Sequence, residues 1–425
     1  MLALPLFLLA LAGCGERAAP DVSGVTQPPA VDAATDTAPD AAVAAFLERH
    51  WARPLAPQGQ PPEKFSPLEA SLAPADCGSC HAEQYRDWHS ALHARAMGPG
   101  LMGQLVNMAP HARDEHQDCI RCHAPLAEQA DGLVEALGAL GQASSVSPAP
   151  VASPPLHTQG VVCAACHVRA HEHLGPPRPD GSVPDAASNV SLPHGGFTAD
   201  KAFEDARFCS ACHQFQPDQY ALNGKLLENT YEEWKDSRHA REGRTCQSCH
   251  MPGRRHMWRG IHDPEMVRGG VDFVAEGARL SGGIVDAALT VRNSATGHYF
   301  PTYVTPRVTA EIEQVGGNGQ ALPQTRETRV IARQVPLDLG HEIADTRLPP
   351  DSEVRLIYAR PRHPGAVALV YRLRVEPDEF YARFYRSLLT DGGAGQGATL
   401  IQEALAQAES SAFVAFEERH PLPEE

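Results

Sequence analysis

The pattern of apolar and polar positions changes along this chain. Residues 1–13 (MLALPLFLLALAG) form one unbroken apolar run that ends in small residues before Cys14. A run this short does not span a bilayer as a stable helix, and it predicts an export signal. Residues 15–40 are rich in Ala, Pro, Asp and Thr without apolar periodicity, which predicts a flexible tether. Ala41 to Trp51 (AAVAAFLERHW) predicts a short amphipathic helix where folded structure begins. After Gly270 short runs rich in Val, Ile, Thr and Tyr appear: Val271–Val274, Asp286–Arg292, Arg307–Val315, Thr328–Arg333, Glu353–Ala359 and Ala366–Val375. Turn sequences such as Gly316-Gly-Asn-Gly and Pro349-Pro-Asp-Ser separate them, so they predict a small antiparallel β-sandwich. Residues 398–420 predict a helix. The expected divisions are a signal at 1–14, a tether at 15–44, a mainly α segment with little regular structure at 45–269, the β-sandwich at 270–376 and a C-terminal helical segment at 377–425.

One five-residue phrase recurs within 45–269: Cys77-Gly-Ser-Cys80-His81, Cys119-Ile-Arg-Cys122-His123, Cys163-Ala-Ala-Cys166-His167, Cys209-Ser-Ala-Cys212-His213 and Cys246-Gln-Ser-Cys249-His250. C-x-x-C-H is the attachment signature of a c-type haem. Its two thiols form thioether links to the porphyrin and its imidazole takes one axial position on the iron. A zinc ribbon pairs two Cys-x-x-C units per metal and has no need of His after each one. Of the 11 Cys, the five motifs use every one but Cys14, which leaves none for internal disulfides. The expected cofactors are therefore five covalent haems c, with His81, His123, His167, His213 and His250 as proximal ligands. Roughly forty residues per haem cannot build a conventional core, so the porphyrins themselves must supply buried apolar surface.

Charge narrows the partners. A formal net charge of −16 argues against nucleic acid and against an anionic membrane surface, and suits a basic redox protein. Leu11-Ala12-Gly13-Cys14 resembles the lipobox of bacterial lipoproteins, although no Lys or Arg precedes the apolar run. That resemblance implies an exported protein lipid-anchored through Cys14, and Gly15 after the Cys resembles the outer-membrane sorting class, on its periplasmic or outer face.

A second repeat lies outside the attachment motifs. Tyr85-Arg-Asp-Trp88-His-Ser-Ala-Leu-His93-Ala94-Arg95 aligns with Tyr231-Glu-Glu-Trp234-Lys-Asp-Ser-Arg-His239-Ala240-Arg241. Tyr, Trp and His at these offsets fall near one helical face, which suits a helix lying on a porphyrin with His as second axial ligand. With 21 His in the chain, further candidates are His111, His116, His157, His171, His173, His256 and His262. Met97, Met102, Met108 and Met257 are alternative ligands that would raise a potential, but core packing is the favoured reading for each.

C-x-x-C-H-A-x-x-Y-x-x-W…H-A, G-V-V-C-x-x-C-H and C-x-x-C-H-M-P followed by His resemble the multihaem cytochrome c group. That group includes the tetrahaem electron carriers of ammonia oxidisers, hydroxylamine oxidoreductases and pentahaem ammonia-forming nitrite reductases. The resemblance covers roughly residues 65–270 and implies a haem-packed cytochrome domain. It further implies His93, His157, His173, His239 and His262 as distal ligands. Asn293-Ser-Ala-Thr-Gly297-His298-Tyr-Phe-Pro301 resembles a loop of C-terminal domains in some multihaem cytochromes, which makes His298 a further distal candidate. All five motifs end in His, whereas the pentahaem nitrite reductases carry Lys in the active-site motif. No Tyr cross-link signature of hydroxylamine oxidation is found either.

Three functions follow as expectations. The foremost is an electron carrier with no catalytic residue, since haems packed this closely pass electrons among themselves and no triad, phosphate loop or paired carboxylate stands out. An alternative is a reductase of a small nitrogen or sulfur compound at one open iron, with Arg241, Arg254, Arg255 and His256 beside it. The third is a subunit of a larger multihaem assembly or filament.

Overall fold

The computed structural model describes residues 37–109, 112–140, 154–182 and 192–424. The export signal, Cys14, most of the tether and His111 lie outside them. Residues up to 41 and residues 42–425 form separate units. Among the described residues no helix is long and apolar enough to cross a membrane.

The first helix, α1 (Thr37–His50), spans most of the predicted Ala41–Trp51 segment. From there to Gly270 the chain forms short helices, turns and two- to four-residue strands. The attachment motifs nucleate several of these helices: Arg113–His123, Cys163–His167, Arg207–His213 and Cys246–His250. Each ends at its proximal His, where the next residue leaves helical geometry. Cys-x-x-C-H in one helical turn brings both sulfurs and the imidazole to one side, as a single porphyrin requires. The two Tyr-Trp segments form helices α2 (Ala82–Ser90) and α3 (Thr230–Lys235).

After Gly270 the predicted runs become strands: β1 (Val271–Ala275), β2 (Arg279–Ser281), β3 (Ile284–Asn293), β4 (Arg307–Val315), β5 (Glu327–Ile331), β6 (Glu353–Pro361) and β7 (Ala368–Glu376). One antiparallel sheet has the order β6-β3-β1, with β2 also paired to β3. A second has the order β5-β4-β7 and is closed on its far side by β8 (Phe413–Pro421). Val285, Leu289 and Val291 of β3 and Leu356 and Tyr358 of β6 share one apolar core with Val308 and Ile312 of β4 and Leu369, Leu373 and Val375 of β7. Residues alternating along each strand supply it, as the two-residue period of a half-buried strand demands.

The C-terminal segment departs from the expectation of a helix through residue 420. Two helices form, α4 (Glu379–Thr390) and α5 (Ala398–Ser410), and residues 413–421 then become β8. The edge of β7 offers a row of unpaired backbone groups, and pairing with it outweighs the helical pattern. α5 packs on α4 and on the helix Pro99–Leu105. Asn107 ties this contact by donating Nδ2 to the carbonyls of Gly103 (3.0 Å) and Ala394 (2.9 Å).

The seam between the haem-motif segment and the sheets is polar and mostly buried. Arg347 Nη1 meets Glu233 at 3.0 Å, and both side chains are only 5% exposed. Arg347 also holds Asp345 at 2.9 Å and lies over the Tyr299 ring. Arg333, 2% exposed, donates to the carbonyls of Leu226 (2.6 Å) and Lys225 (3.0 Å) and to Glu342 (2.9 Å). Removing one partner of a buried pair leaves an uncompensated charge. Arg347→Ala should therefore lower unfolding stability by about 3–5 kcal/mol. Arg386→Ala, which breaks the exposed pair with Glu409, should cost at most about 1 kcal/mol. Denaturant titrations followed by circular dichroism check the contrast, and equal losses would contradict it.

Candidate haem-binding site

The ten motif cysteines are unpaired, and motifs distant in sequence meet in space. The Cys77 thiol lies close to Cys163, Cys122 to Cys212, and Cys209 to Cys246. These sulfurs are the atoms that carry thioether links in a c-type cytochrome, so the contacts place the first motif beside the third, the second beside the fourth, and the fourth beside the fifth. Arg53 sits between the second and fourth motifs, with Nη1 3.7 Å from Cys122 Sγ and Nη2 3.5 Å from Cys212 Sγ.

A proximal imidazole needs one ring nitrogen free for iron and the other held, because the second hydrogen bond fixes tautomer and ring orientation. His123 Nδ1 lies 2.8 Å from the Ala96 carbonyl, His167 Nδ1 2.8 Å from that of Leu174, and His250 Nδ1 2.7 Å from that of Arg259. Donation from Nδ1 assigns the Nε2 lone pair to the metal side in each. His213 differs: its Nδ1 pairs at 2.8 Å with the Tyr303 hydroxyl.

Three of these rings face a second imidazole. His93 faces His213 with ring centroids 6.3 Å apart and planes at 61°. His256 faces His167 at 6.2 Å and 39°, and His298 faces His250 at 6.3 Å and 14°. The spacing fits a shared metal. A metal sits about 2 Å from each imidazole nitrogen, and a ring centre lies about 1 Å further out, so two rings sharing one ion stand about 6 Å apart. His173 and His194 stack too closely for that, at 3.9 Å. The distal rings are also held by Nδ1: His256 on the Arg254 carbonyl and His298 on that of Tyr299, both at 2.9 Å. Trp258 packs edge-on against His93 (4.7 Å) and His256 (5.1 Å). Burial drives His93 down to about 3 and His167 and His213 to about 4, and it lowers His250, His256 and His298 as well. Neutral imidazole is the form that binds a metal, so the donor set fits bis-imidazole haem iron.

The Tyr-Trp repeat proves to be a duplicated device. Trp88 Nε1 donates to the Val161 carbonyl (2.7 Å), and Val161 N–H donates to the His93 carbonyl (2.8 Å). In the second copy Trp234 Nε1 donates to the Arg244 carbonyl (2.9 Å), and Arg244 N–H to the His239 carbonyl (2.8 Å). Val161 and Arg244 each stand two residues before the first Cys of a motif, the third and the fifth. The acidic residue before each Trp then braces the segment whose imidazole faces the same motif. Asp87 accepts Arg255 at 2.6 and 2.7 Å and the His256 N–H at 3.0 Å. Glu233 accepts Arg347 and the Tyr299 N–H, each at 3.0 Å, next to His298. Even the final arginines match, Arg95 bonding the Ser90 carbonyl and Arg241 that of Asp236. Two glycines allow the close approach. A Cβ on Gly160, whose φ is +68°, would lie 2.2 Å from the His93 carbonyl oxygen, and one on Gly297 would lie 2.9 Å from Trp234 Cδ1.

Of the predicted distal residues, His93 and His298 thus stand opposite proximal rings. His239 is buried as the spine of the second copy, and its Nδ1 has no hydrogen-bond partner among the described residues. His157 is buried against Gly132. His173 stacks on His194, and His262 Nε2 is taken by Asp378 Oδ2 at 2.9 Å. His256 occupies the position opposite His167. Motif spacing alone did not separate it from His262; the Asp87–Arg255 clamp does. His50 escaped the sequence reading altogether. It sits 3% exposed among Phe46, Trp51, Phe203 and Phe208, and neither ring nitrogen has a partner among the described residues. His116 is buried in the same unpartnered state. Of the methionines, Met97 lies in an apolar core with Leu105 and Ile120.

Residues 76–168 match the family described as cytochrome c554 and c-prime. No curated protein sequence matches the chain. Its structure is similar to that of a penta-heme cytochrome c552 from Thermochromatium tepidum, with a TM-score of 0.57 and 19% identity, over 84% of this chain and 100% of the other. At that identity the likeness concerns the fold, while the family match covers the first three attachment motifs and the first Tyr-Trp helix. The likeness to known cytochromes thus rests on residues 76–168 in sequence and, over most of the chain, on a fold shared with a penta-heme cytochrome.

Proposed function

We propose that the chain binds five haems c, one at each C-x-x-C-H motif, and passes electrons along them between redox proteins. The observation that carries this reading is the set of three facing imidazole pairs, which supplies both axial ligands at the third, fourth and fifth motifs. An iron with two strong axial ligands has no open position for a substrate and exchanges electrons with little rearrangement. The sulfur approaches group the first motif with the third and the second, fourth and fifth together, and Cys166 of the third lies within electrostatic reach of Cys209 and Cys212 of the fourth, which supports a path among them. The net charge of −16 suits a basic partner.

Export and anchoring extend this proposal. Cys14 would carry the lipid, the segment 15–44 would tether the haem region, and the protein would work at the outer membrane on its periplasmic or outer face. The sheet segment both docks on the haem region and supplies His298. Association into a larger multihaem assembly is compatible with the same wiring.

The first test is intact mass of the purified protein, which should show five covalent haems; four or fewer would contradict the assignment of one haem per motif. His298→Ala should turn one low-spin haem high-spin and leave the rest unchanged, and His256→Ala should do the same at a different haem. Unaltered optical and paramagnetic resonance spectra would remove either residue from the ligand set. Gly297→Val should reproduce part of the His298→Ala effect, since the added side chain pushes the loop off Trp234. A wild-type spectrum in that variant would show that the close approach does not position the ligand.

A further inference from the structure

Trp258 sits where the surroundings of three motifs meet. Its indole packs edge-on against two imidazoles, His93 at 4.7 Å and 79° and His256 at 5.1 Å and 87°. His93 faces His213 of the fourth motif, and His256 faces His167 of the third. The next residue, Arg259, supplies the carbonyl that receives Nδ1 of His250, in the fifth motif, at 2.7 Å. Trp258 makes these contacts from left-handed backbone (φ 41°), a costly conformation for a residue with a side chain and one that clusters at functional positions.

The His93 ring has need of such a neighbour. His256 and His298 each donate Nδ1 to a backbone carbonyl at 2.9 Å, which fixes tautomer and ring plane together. Among the described residues no hydrogen bond reaches either ring nitrogen of His93. The Val161 N–H holds the His93 carbonyl at 2.8 Å, but that bond fixes backbone and leaves the ring free to turn. The Trp258 indole stands almost perpendicular to the ring. An edge-to-face contact sets the positive edge of one ring on the negative face of the other, so it favours one relative orientation.

We propose that Trp258 is a positioning residue whose indole fixes the plane of His93 opposite His213, the role that a backbone carbonyl plays for His256 and His298. This assignment rests on the proposed pairing of His93 with His213 across one haem iron. The effect is graded along the chain. His256 has the Arg254 carbonyl on its Nδ1 and Asp87 on its N–H besides the indole, so it depends on Trp258 less than His93 does. The His250 and His298 rings face each other without an indole contact.

The plainer role for this indole is packing, since Trp258 also lies against a core that includes Leu55, Trp88, Leu126 and Val162. Packing alone would cost stability on substitution and leave the ligand planes where they are. The two roles therefore separate in the low-spin ferric signal, which follows the angle between the two axial imidazole planes.

Electron paramagnetic resonance of the oxidised, haem-loaded full chain tests this on Trp258→Leu, which keeps apolar bulk and removes the aromatic ring. The component of the crossed pair His93–His213, at 61°, should shift. That of His167–His256, at 39°, should move less, and that of His250–His298, at 14°, should stay in place. Trp258→Phe, which restores an aromatic ring, should return the crossed component toward its wild-type position. An unaltered crossed component in Trp258→Leu overturns the positioning role, and so does an equal shift of all three. Should Trp258→Leu fail to fold, Trp258→Gly, which suits left-handed backbone, decides by the same criteria. A wild type without a crossed low-spin component overturns the pairing itself, and the positioning role with it. A wild type that has one, beside an unchanged Trp258→Leu, overturns the role of Trp258 alone.

Discussion

The constraint on which the proposed account depends is the placing of pairs of imidazole rings face to face, at the spacing of a shared iron. A ligating ring must present Nε2, remain neutral and not rotate, and each demand has a visible cause. Backbone carbonyls hold Nδ1 of His123, His167 and His250, and burial keeps the facing rings uncharged. Separations of 6.2 and 6.3 Å match the spacing of two rings that share one metal ion.

The short chain achieves this through duplication. One Tyr-Trp-His segment fixes the approach to an attachment motif through the indole and steadies the opposite ligand through a carboxylate. The same bonds recur in the second copy, with Asp87 replaced by Glu233 and Val161 by Arg244. The sheets after Gly270 therefore carry His298, one ring of a facing pair. Asn293 donates to the His298 and Leu348 carbonyls and shapes the loop that carries His298, while Arg347 and Arg333 lock the sheets to the haem region. These contacts bring together residues as distant in sequence as His250 and His298.

Much of this was legible in the sequence. The attachment motifs carry their chemistry in five residues, and β4 runs from Arg307 to Val315 as its apolar alternation predicts. The Trp repeat was visible, although its carboxylate role was not, because the partners of Asp87 and Glu233 lie more than sixty residues away. Distal ligands were the hardest to read. His256 and His262 follow the same motif at similar spacing, and only the tertiary contacts of Arg255 and Asp378 tell them apart. The final strand was hidden for the same reason: Phe413 to Pro421 carries a helical pattern until the edge of β7 is available to pair with it.

Electron paramagnetic resonance of the oxidised protein tests the central claim most directly. The orientation of two axial imidazole planes shapes the low-spin ferric signal. The nearly parallel pair His250–His298, at 14°, and the crossed pair His93–His213, at 61°, should therefore give distinguishable low-spin components. Low-spin signals accounting for at least three irons, with both a near-parallel and a crossed type, are the predicted result. A spectrum in which high-spin iron leaves fewer than three low-spin haems would contradict the pairing on which the account is built.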